Sequence, residues 1–315
     1  MKITVIVPTY KRLDYLAEAI NSIIEQTHTD WECLIVNDHP PDAIAISKLL
    51  ASFKDDRLHL INHETSLGGN AARNSGIARA RGEIIAFLDD DDLWLPDKLQ
   101  KHLACHQDSQ AGVVFSGVTQ QWEGKKLPAK TTLAANPTED VLTAMSKGEF
   151  CPHTTSAVTV ARWCFDRCGT FDSKLVSFQD WDMWYRLAAK GVKFDCISEP
   201  LIIFRQHLGA RTSKSIERRL RGLEMLLDKW QGTIKNSGKF RQRFTKESYI
   251  ALTNDSILQG KKKQAFRSWI SFLPLIDRPF DVLQAIKLLL MITFNNQLYG
   301  QMLQTYRTLN PRQPS

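Results

Sequence analysis

The sequence predicts an α/β fold, a mixed but mainly parallel central sheet flanked by helices, followed by a separate helical region at the C-terminus. Three observations carry this. Short apolar runs alternate with segments of helical periodicity through residues 1–110. One such run, residues 84–88, ends without transition in four consecutive carboxylates, Asp89 to Asp92. Near residue 205 the strand-like runs stop and basic residues accumulate, 16 Lys and Arg against 5 Asp and Glu between Arg205 and Arg267, in a chain of net charge +7. A chain of 315 residues is long enough for one large α/β domain with a smaller appendage.

Residues 3–7, ITVIV, read as the first strand, stopped by Pro8 and followed by the polar Thr9, Tyr10, Lys11 and Arg12. Leu16, Ala19, Ile20, Ile23 and Ile24 then recur at helical spacing, with Asp14 in position to cap that helix. Residues 33–36 form the next strand, ending in Asn37 and Asp38; residues 44–53 read as a second helix and residues 58–61 as a third strand. In GGNAARNSGIARARG, residues 70–80 read as a helix whose N-terminus, with Arg73, lies near the same sheet edge as Asp38 and Asp89. A helix N-terminus beside an arginine suits a phosphate or nucleotide, although a surface arginine on a helix needs no ligand.

Residues 84–88 are too few and too β-branched for a helix, so they read as a buried central strand. In open α/β sheets ligands bind outside the C-terminal ends of the strands, where the four acids stand. Neighbouring carboxylates repel by roughly 1 kcal/mol per close pair in water and roughly 4 at an effective dielectric of 20, so a cation is called for. An extended backbone would put Asp89 and Asp91 on one side and Asp90 and Asp92 on the other. Asp-x-Asp offers hard oxygens to Mg²⁺ or Mn²⁺. The same residues also read as a solvated turn before the helix beginning near Pro96, with Asp92 as its N-terminal acid, and the two roles are compatible.

After a helix over residues 96–106, residues 113–122 read as a strand and residues 123–137 as a loop or hairpin. Residues 155–160 read as a strand, residues 162–167 as a short helix and GTFD, residues 169–172, as a turn. Asp180, Trp181 and Asp182 open a helix with Trp184, Leu187 and Ala188 on its apolar face, ending at Gly191. In isolation Asp180 reads as its N-cap, and Trp181, Trp184 and Tyr185 as core or as walls of an acceptor pocket.

VIVPTYKR, LIVNDHPPD, GGNAARNSG, AFLDDDDLW and GTFDSKL with SFQDWDMWYRL follow one another within residues 1–207. Together they resemble the inverting glycosyltransferases of family 2, which have the GT-A nucleotide-binding fold. The resemblance implies a catalytic domain over residues 1–210, with a nucleotide-sugar half (1–110) and an acceptor half (111–210), and a basic helical region over 211–315. It implies that Asp38 hydrogen-bonds the base, commonly uracil, that Thr9 and Tyr10 line the base pocket, and that Arg73 lies beside the nucleotide. Asp89 and Asp91 would form the family's Asp-x-Asp, Asp89 near the ribose and Asp91 on a divalent metal, Mn²⁺ or Mg²⁺, that bridges the diphosphate. Asp180 would be the general base, with Asp182 as the substitute on the next face of the helix. Arg205 and His207 stand where the family often has a residue near the diphosphate. Gln179 departs from the acid that often precedes the base, and loss of that charge lowers the base's pKa.

The implied reaction moves a sugar from a nucleotide diphosphate sugar, a UDP sugar by family habit, to a hydroxyl of a glycan or lipid-linked acceptor in surface polysaccharide assembly. The alternative is a catalytically inactive nucleotide-sugar-binding or scaffold protein, toward which Gln179 leans. A nucleotidyltransferase is disfavoured, because no glycine-rich loop with an arginine follows the first strand.

In the C-terminal region Ile216, Leu220, Leu223, Leu226 and Leu227 share one helical face, and residues 249–275 suggest two helices joined at Gly260. Residues 282–294 are the most apolar segment, but they contain Gln284 and Lys287 and fall short of the ~20 residues a span requires. Beside Lys261, Lys262 and Lys263 they suit either a membrane interface or packing on the catalytic domain. The six cysteines include no C-x-x-C pair, which predicts reduced thiols and no zinc site. Met1 and Lys2 lead directly into a strand, so no signal peptide is expected. The expectation is a cytoplasmic protein with peripheral contact at the inner face of the membrane through its basic helices, and no nucleic-acid partner.

Overall fold

The structure is a computed structural model that describes residues 1–122, 129–206, 216–234 and 237–293. The chain forms two compact units, Met1–His207 and Leu208–Ser315.

In the first unit β1 (Ile3–Thr9), α1 (Leu13–Ile24), β2 (Trp31–Asn37), α2 (Ala43–Phe53), β3 (Leu58–Asn62), α3 (Gly69–Arg79) and β4 (Ile84–Phe87) follow in order. The strands lie in the order β3-β2-β1-β4, all parallel. After β1 the chain moves to the β2 side, and after α3 it crosses to the other side of β1. The loops leaving β1 and β4 therefore diverge at one crevice, the switch point where such sheets bind ligands. β1 and β2 are buried on both faces, which is why they read as nearly continuous apolar runs. Gly76 seats α3 directly on β1, since a Cβ there would lie 2.5 Å from Ile6 Cγ2.

The chain continues through β5 (Leu93–Trp94), α4 (Lys98–Ser109), β6 (Val113–Trp122), β7 (Lys130–Thr132), α5 (Val141–Ser146), β8 (Val158–Ala161), α6 (Trp163–Cys168), α7 (Gln179–Ala189) and β9 (Phe194–Gln206). The sheet extends as β4-β8-β6-β9-β5, with β8 antiparallel to β4 and β6, β9 parallel to β6, and β7 pairing β6 antiparallel. The sheet is thus mixed and flanked by helices, as the alternation of elements predicts. β7 supplies one arm of the hairpin expected within residues 123–137.

Three local expectations differ. Asp14 lies in the first turn of α1, whose N-cap is Arg12, and no side chain caps that end. Residues 155–157 form a 3-10 turn and the strand starts at Val158, because Thr154 Oγ1 and the Ser156 side chain are engaged in a turn. α7 is preceded by Phe178 in the left-handed region, φ 60°, so Asp180 falls within the first turn and not at the cap.

The second unit contains α8 (Ile216–Lys229), α9 (Ser237–Leu258), α10 (Lys262–Phe272) and α11 (Pro279–Thr293). Leu223, Leu226 and Leu227 form the buried face of α8. A separate core gathers Ile257, Ala265, Phe272, Ala285, Leu288 and Ile292 from α9, α10 and α11. The buried Lys246 is held by Asp277 and Asp281, both at 2.6 Å. Among the described residues no helix is long and apolar enough to cross a membrane.

Candidate active site

Beyond β4 the backbone turns instead of staying extended, and the Asp92 N–H donates to the Asp89 carbonyl at 3.0 Å. The expected alternation of the acids is therefore broken. Arg12 Nη1 donates to Asp90 Oδ1 at 3.0 Å and to Asp91 Oδ2 at 2.9 Å, so two neighbours converge on one cation. Asp92 is no solvated helix cap: it is fully buried, accepts from Ser156 Oγ at 2.6 Å, and lies against the Arg205 N–H at 3.3 Å. Ser156 Oγ also accepts from the Asp89 N–H at 3.1 Å, which makes it the hub of the turn.

The cations that four carboxylates require are arginines. Arg73 pairs with Asp89, Arg12 with Asp90 and Asp91, and Arg205 donates from Nε to the Asp91 carbonyl at 2.7 Å while its Nη1 meets Glu18. Asp90 anchors the loop after β1, accepting from Thr9 Oγ1 at 2.8 Å and from the Tyr10 N–H at 3.4 Å. Burial, with the charge of Asp91 adding to it and Arg12 opposing, pushes the Asp90 carboxyl up to about 6. Asp89 is the open member, its side chain 30% exposed against 7% for Asp91.

Asp38 follows β2, and its N–H donates to the Thr9 carbonyl at 3.0 Å. Its carboxylate accepts from His63 Nδ1 at 2.8 Å, Ser66 Oγ at 2.9 Å, the Leu67 N–H at 2.7 Å and the Gly68 N–H at 2.8 Å. Burial opposes its charge, but these donors outweigh burial and hold it below the usual carboxylate range. A carboxylate offers about four lone-pair positions, so those of Asp38 are used within the chain, folding the loop that leads into α3. Gly68 joins that loop to α3 at φ 89°, a backbone conformation only glycine adopts readily. Thr9 is buried, while Tyr10 is 46% exposed and stands edge-on to His39 at 5.2 Å.

α3 links this crevice to the segment before α7. Asn70 Nδ2 donates to the Asp172 carbonyl at 3.0 Å, and Asn74 exchanges two hydrogen bonds with the Phe171 backbone, at 2.8 and 2.9 Å. The Phe171 ring stands edge-on to Phe87 of β4 at 5.4 Å and to Trp184 of α7 at 6.1 Å. The Arg73 guanidinium lies 5.8 Å from the same ring. Trp184 and Tyr185 are thus core. Of the two acids on α7, Asp182 is fully buried and paired with Arg186 at 3.0 Å, whose remaining donors grip the Cys168 and Thr170 carbonyls. Asp182 is therefore not a substitute for Asp180. Asp180 is half-buried in the first turn, with Oδ1 accepting the Trp181 N–H at 2.8 Å. Its charge reaches the Cys151 thiol, which burial chiefly, and Asp180 in addition, push well above the usual range.

The sequence reading thus finds Thr9, Tyr10, Arg73, Asp89 and Asp91 gathered around the C-terminal ends of β1 and β4, with Asp38 on the adjoining loop and Asp180 on a separate helix. His207 lies outside the described residues. Arg12, Ser156, Asn70 and Asn74 were not singled out. Arg12 had a signal, the uncompensated charge of the acidic run that it pairs with in the fold; the other three bond across long sequence separations and had none. Asp89 and Asp91 suit Mg²⁺ or Mn²⁺, which take one or two protein carboxylates and leave other positions to water and substrate phosphates. Among the described residues no cluster of three or more His, Cys, Asp and Glu side chains is arranged to hold a metal.

The sheet order and the acidic turn define the GT-A class of fold. Similar solved structures include residues 1–349 of TarS from S. aureus in complex with UDP-GlcNAc, with TM-score 0.57, 18% identity, and coverage of 98% of this chain and 92% of that one. A mannosyltransferase from Pyrobaculum calidifontis in complex with GDP-Man and Mn²⁺ has TM-score 0.57 and 19% identity, with 99% and 88% covered. The model of the glycosyl transferase family 2 matches residues 4–171, more than half of the chain, and the chain belongs to that family. A relative in Bacillus subtilis, the glycosyltransferase TuaG, named for teichuronic acid biosynthesis, is 35% identical over 117 residues. That match covers 36% of this chain and 46% of TuaG, so the chain spans less than half the length of this relative.

Proposed function

We propose that the protein is an inverting glycosyltransferase that moves a sugar from a nucleotide diphosphate sugar, a UDP sugar, to a hydroxyl of a glycan or lipid-linked acceptor in cell-surface polysaccharide assembly. The observation that carries this is the Asp89–Asp92 turn, set at the switch point between β1 and β4 and faced by Arg73 of α3. The name of TuaG supports the polysaccharide, and the UDP-GlcNAc and Mn²⁺ held by the two structural neighbours support the donor and the metal. The enzyme is taken to act in the cytoplasm, with residues 1–110 as its donor half, 111–210 as its acceptor half and 211–315 as the appended helices.

In this reading Thr9 and Tyr10 border the base, and Asp38 acts by fixing the 63–68 loop against it. Asp89, the exposed acid, faces the ribose and the diphosphate, and Arg73 holds it in place until substrate phosphate competes for the guanidinium. Asp180 accepts the proton of the acceptor hydroxyl as that oxygen attacks the anomeric carbon opposite the departing diphosphate, which inverts the centre. A divalent cation bound through Asp91 and Asp89 would neutralise charge developing on the leaving group.

The test is thermal stability against UDP, GDP and their sugars, with and without Mn²⁺, for wild type, Asp91→Ala and Asp180→Asn. A ligand at a hundred times its dissociation constant stabilises by about 2.7 kcal/mol. The expected pattern is a metal-dependent shift for one base, lost in Asp91→Ala and kept in Asp180→Asn, whose turnover falls by about 10²–10⁴. Absence of any nucleotide-dependent shift in the wild type would sink the donor reading, and full turnover by Asp180→Asn would remove the base.

A further inference from the structure

Twelve large hydrophobic side chains stand exposed among the described residues, and six of them lie on α10 and α11. Phe266 and Ile270 on α10 are 44% and 48% exposed; Phe280, Val282, Leu283 and Ile286 on α11 are 69%, 46%, 66% and 52% exposed. α11 is apolar on opposite sides. Ala285, Leu288 and Ile292 enter the core of the unit, while Phe280, Leu283 and Ile286 remain outside it. A helix facing only water carries a polar outer face, and a concentration of apolar surface of this kind marks an interaction site.

The exposed charges of the same stretch indicate what covers it. Lys261, Lys262, Lys263 and Arg267 lie at the start of and along α10, and Arg278 and Lys287 lie before and on α11, all exposed. The two acids of the stretch, Asp277 and Asp281, are bound by Lys246. A second copy of this face would set cations against cations. A nucleic acid would satisfy the cations but leave the aliphatic side chains in water. An anionic lipid surface meets both requirements, phosphates for the cations and an acyl boundary for the apolar side chains.

We propose that the α10–α11 face is a docking surface for an anionic bilayer, with α11 in the plane of the headgroup layer and Phe280, Leu283 and Ile286 reaching the acyl boundary. α11 has 15 residues, a length that suits lying in the interface, and no described helix is long and apolar enough to cross. The docking surface is independent of which donor the first unit takes.

The experiment is co-sedimentation of the full chain with vesicles of phosphatidylcholine alone or with about a third phosphatidylglycerol, at low salt and at about 0.5 M NaCl, where surface attraction is screened. Wild type is expected to bind the anionic vesicles about ten-fold or more tightly than the neutral ones. The variant Phe280→Ser/Leu283→Ser/Ile286→Ser loses about ten-fold or more and retains no binding at high salt. The variant Lys261→Gln/Lys262→Gln/Lys263→Gln loses the preference for phosphatidylglycerol. All six positions are exposed, and an unchanged far-UV spectrum and nucleotide-dependent thermal shift certify that the variants fold. That same shift separates the two readings, since its persistence without vesicle binding overturns the docking surface alone. Equal vesicle binding by wild type and the serine variant also overturns it, as does a wild-type dimer in solution that the serine variant converts to monomer.

Discussion

Arg12 holds Asp90 and Asp91 with one nitrogen, and its removal leaves two adjacent buried carboxylates without that cation. The Asp90 carboxyl already stands at about 6, above its ordinary 3.8, because burial outweighs Arg12. A carboxyl with a raised folded-state pKa binds more protons folded than unfolded, so its contribution to stability falls as pH rises from about 4 through 6. Without Arg12 the folded carboxyl holds its proton to still higher pH. Arg12→Ala is therefore expected to cost about 2–3 kcal/mol at pH 8 and less at pH 5, where Asp90 is protonated in both proteins and only the Asp91 pairing is lost. Urea unfolding of both proteins at the two pH values, without added divalent cation, checks this; an equal cost at pH 5 and 8 would remove Asp90 as the cause. The residues singled out from sequence, Asp89, Asp91, Arg73 and Asp180, share a reason for being singled out: each sits in a short motif whose composition is unusual at that place. Ser156 and Asn74 are ordinary residues by type and neighbourhood. Their roles rest on partners 64 and 97 positions away, which no local pattern reveals.

α4 carries a second set of polar groups that the reaction does not use. Lys98, His102 and His106 recur every fourth residue on its buried face, all against the sheet. The Lys98 ammonium lies 3.8 Å above the Trp94 ring and has no hydrogen-bond partner among the described residues. His102 Nδ1 and His106 Nε2 both meet Thr159 Oγ1 at 2.9 Å. Burial pushes Lys98 well below the usual lysine range and, with Lys98 as a further cause, lowers both histidines. A base with a depressed folded-state pKa binds fewer protons folded than unfolded, so stability rises with pH up to the unfolded value, near 10.5 for Lys98 and 6.5 for the histidines. Lys98→Met is expected to stabilise the first unit by about 1–4 kcal/mol at pH 7, with the gain shrinking toward pH 10, read as a rise in Tm. The histidines remain in that variant, so its stability still falls below pH 6.5. A loss of stability at pH 7 would mean that Lys98 is held charged by its surroundings. Elements of this kind show what periodicity does and does not reveal: the apolar spacing that marks α1, α2 and β1 is absent from KLQKHLACHQDS, and only packing tells which of its polar residues face inward. The 3-10 segment at 155–157 was missed for a related reason, as local propensity read extended chain where Thr154 and Ser156 engage their side chains in a turn.

The parallel β3-β2-β1-β4 half of the sheet follows from alternating elements, because right-handed crossovers leave few arrangements for it. The remainder, in which β8 inserts antiparallel between β4 and β6 and β9 returns parallel to β6, had no counterpart in local pattern. Strand neighbours there are set by pairings across the sheet, which short apolar runs do not encode. The change in charge begins near residue 205, and the first unit runs from Met1 to His207. Each unit has its own core, one built on β1, β2 and β4 with α1, the other on α9, α10 and α11. Multi-domain chains of this kind depart from two-state unfolding. Calorimetry of the full chain is expected to give a van't Hoff enthalpy below the calorimetric one, with two resolvable transitions. A nucleotide sugar with Mn²⁺ binds only the folded first unit in the proposed reading, so it raises one transition, by the amount its concentration above Kd dictates, and leaves the other in place. Anionic vesicles act on the other transition if the α10–α11 face docks as argued. A single transition that moves as a whole with either ligand would mean that the two cores unfold together, and the division of labour between donor chemistry and membrane contact would then have no thermodynamic basis.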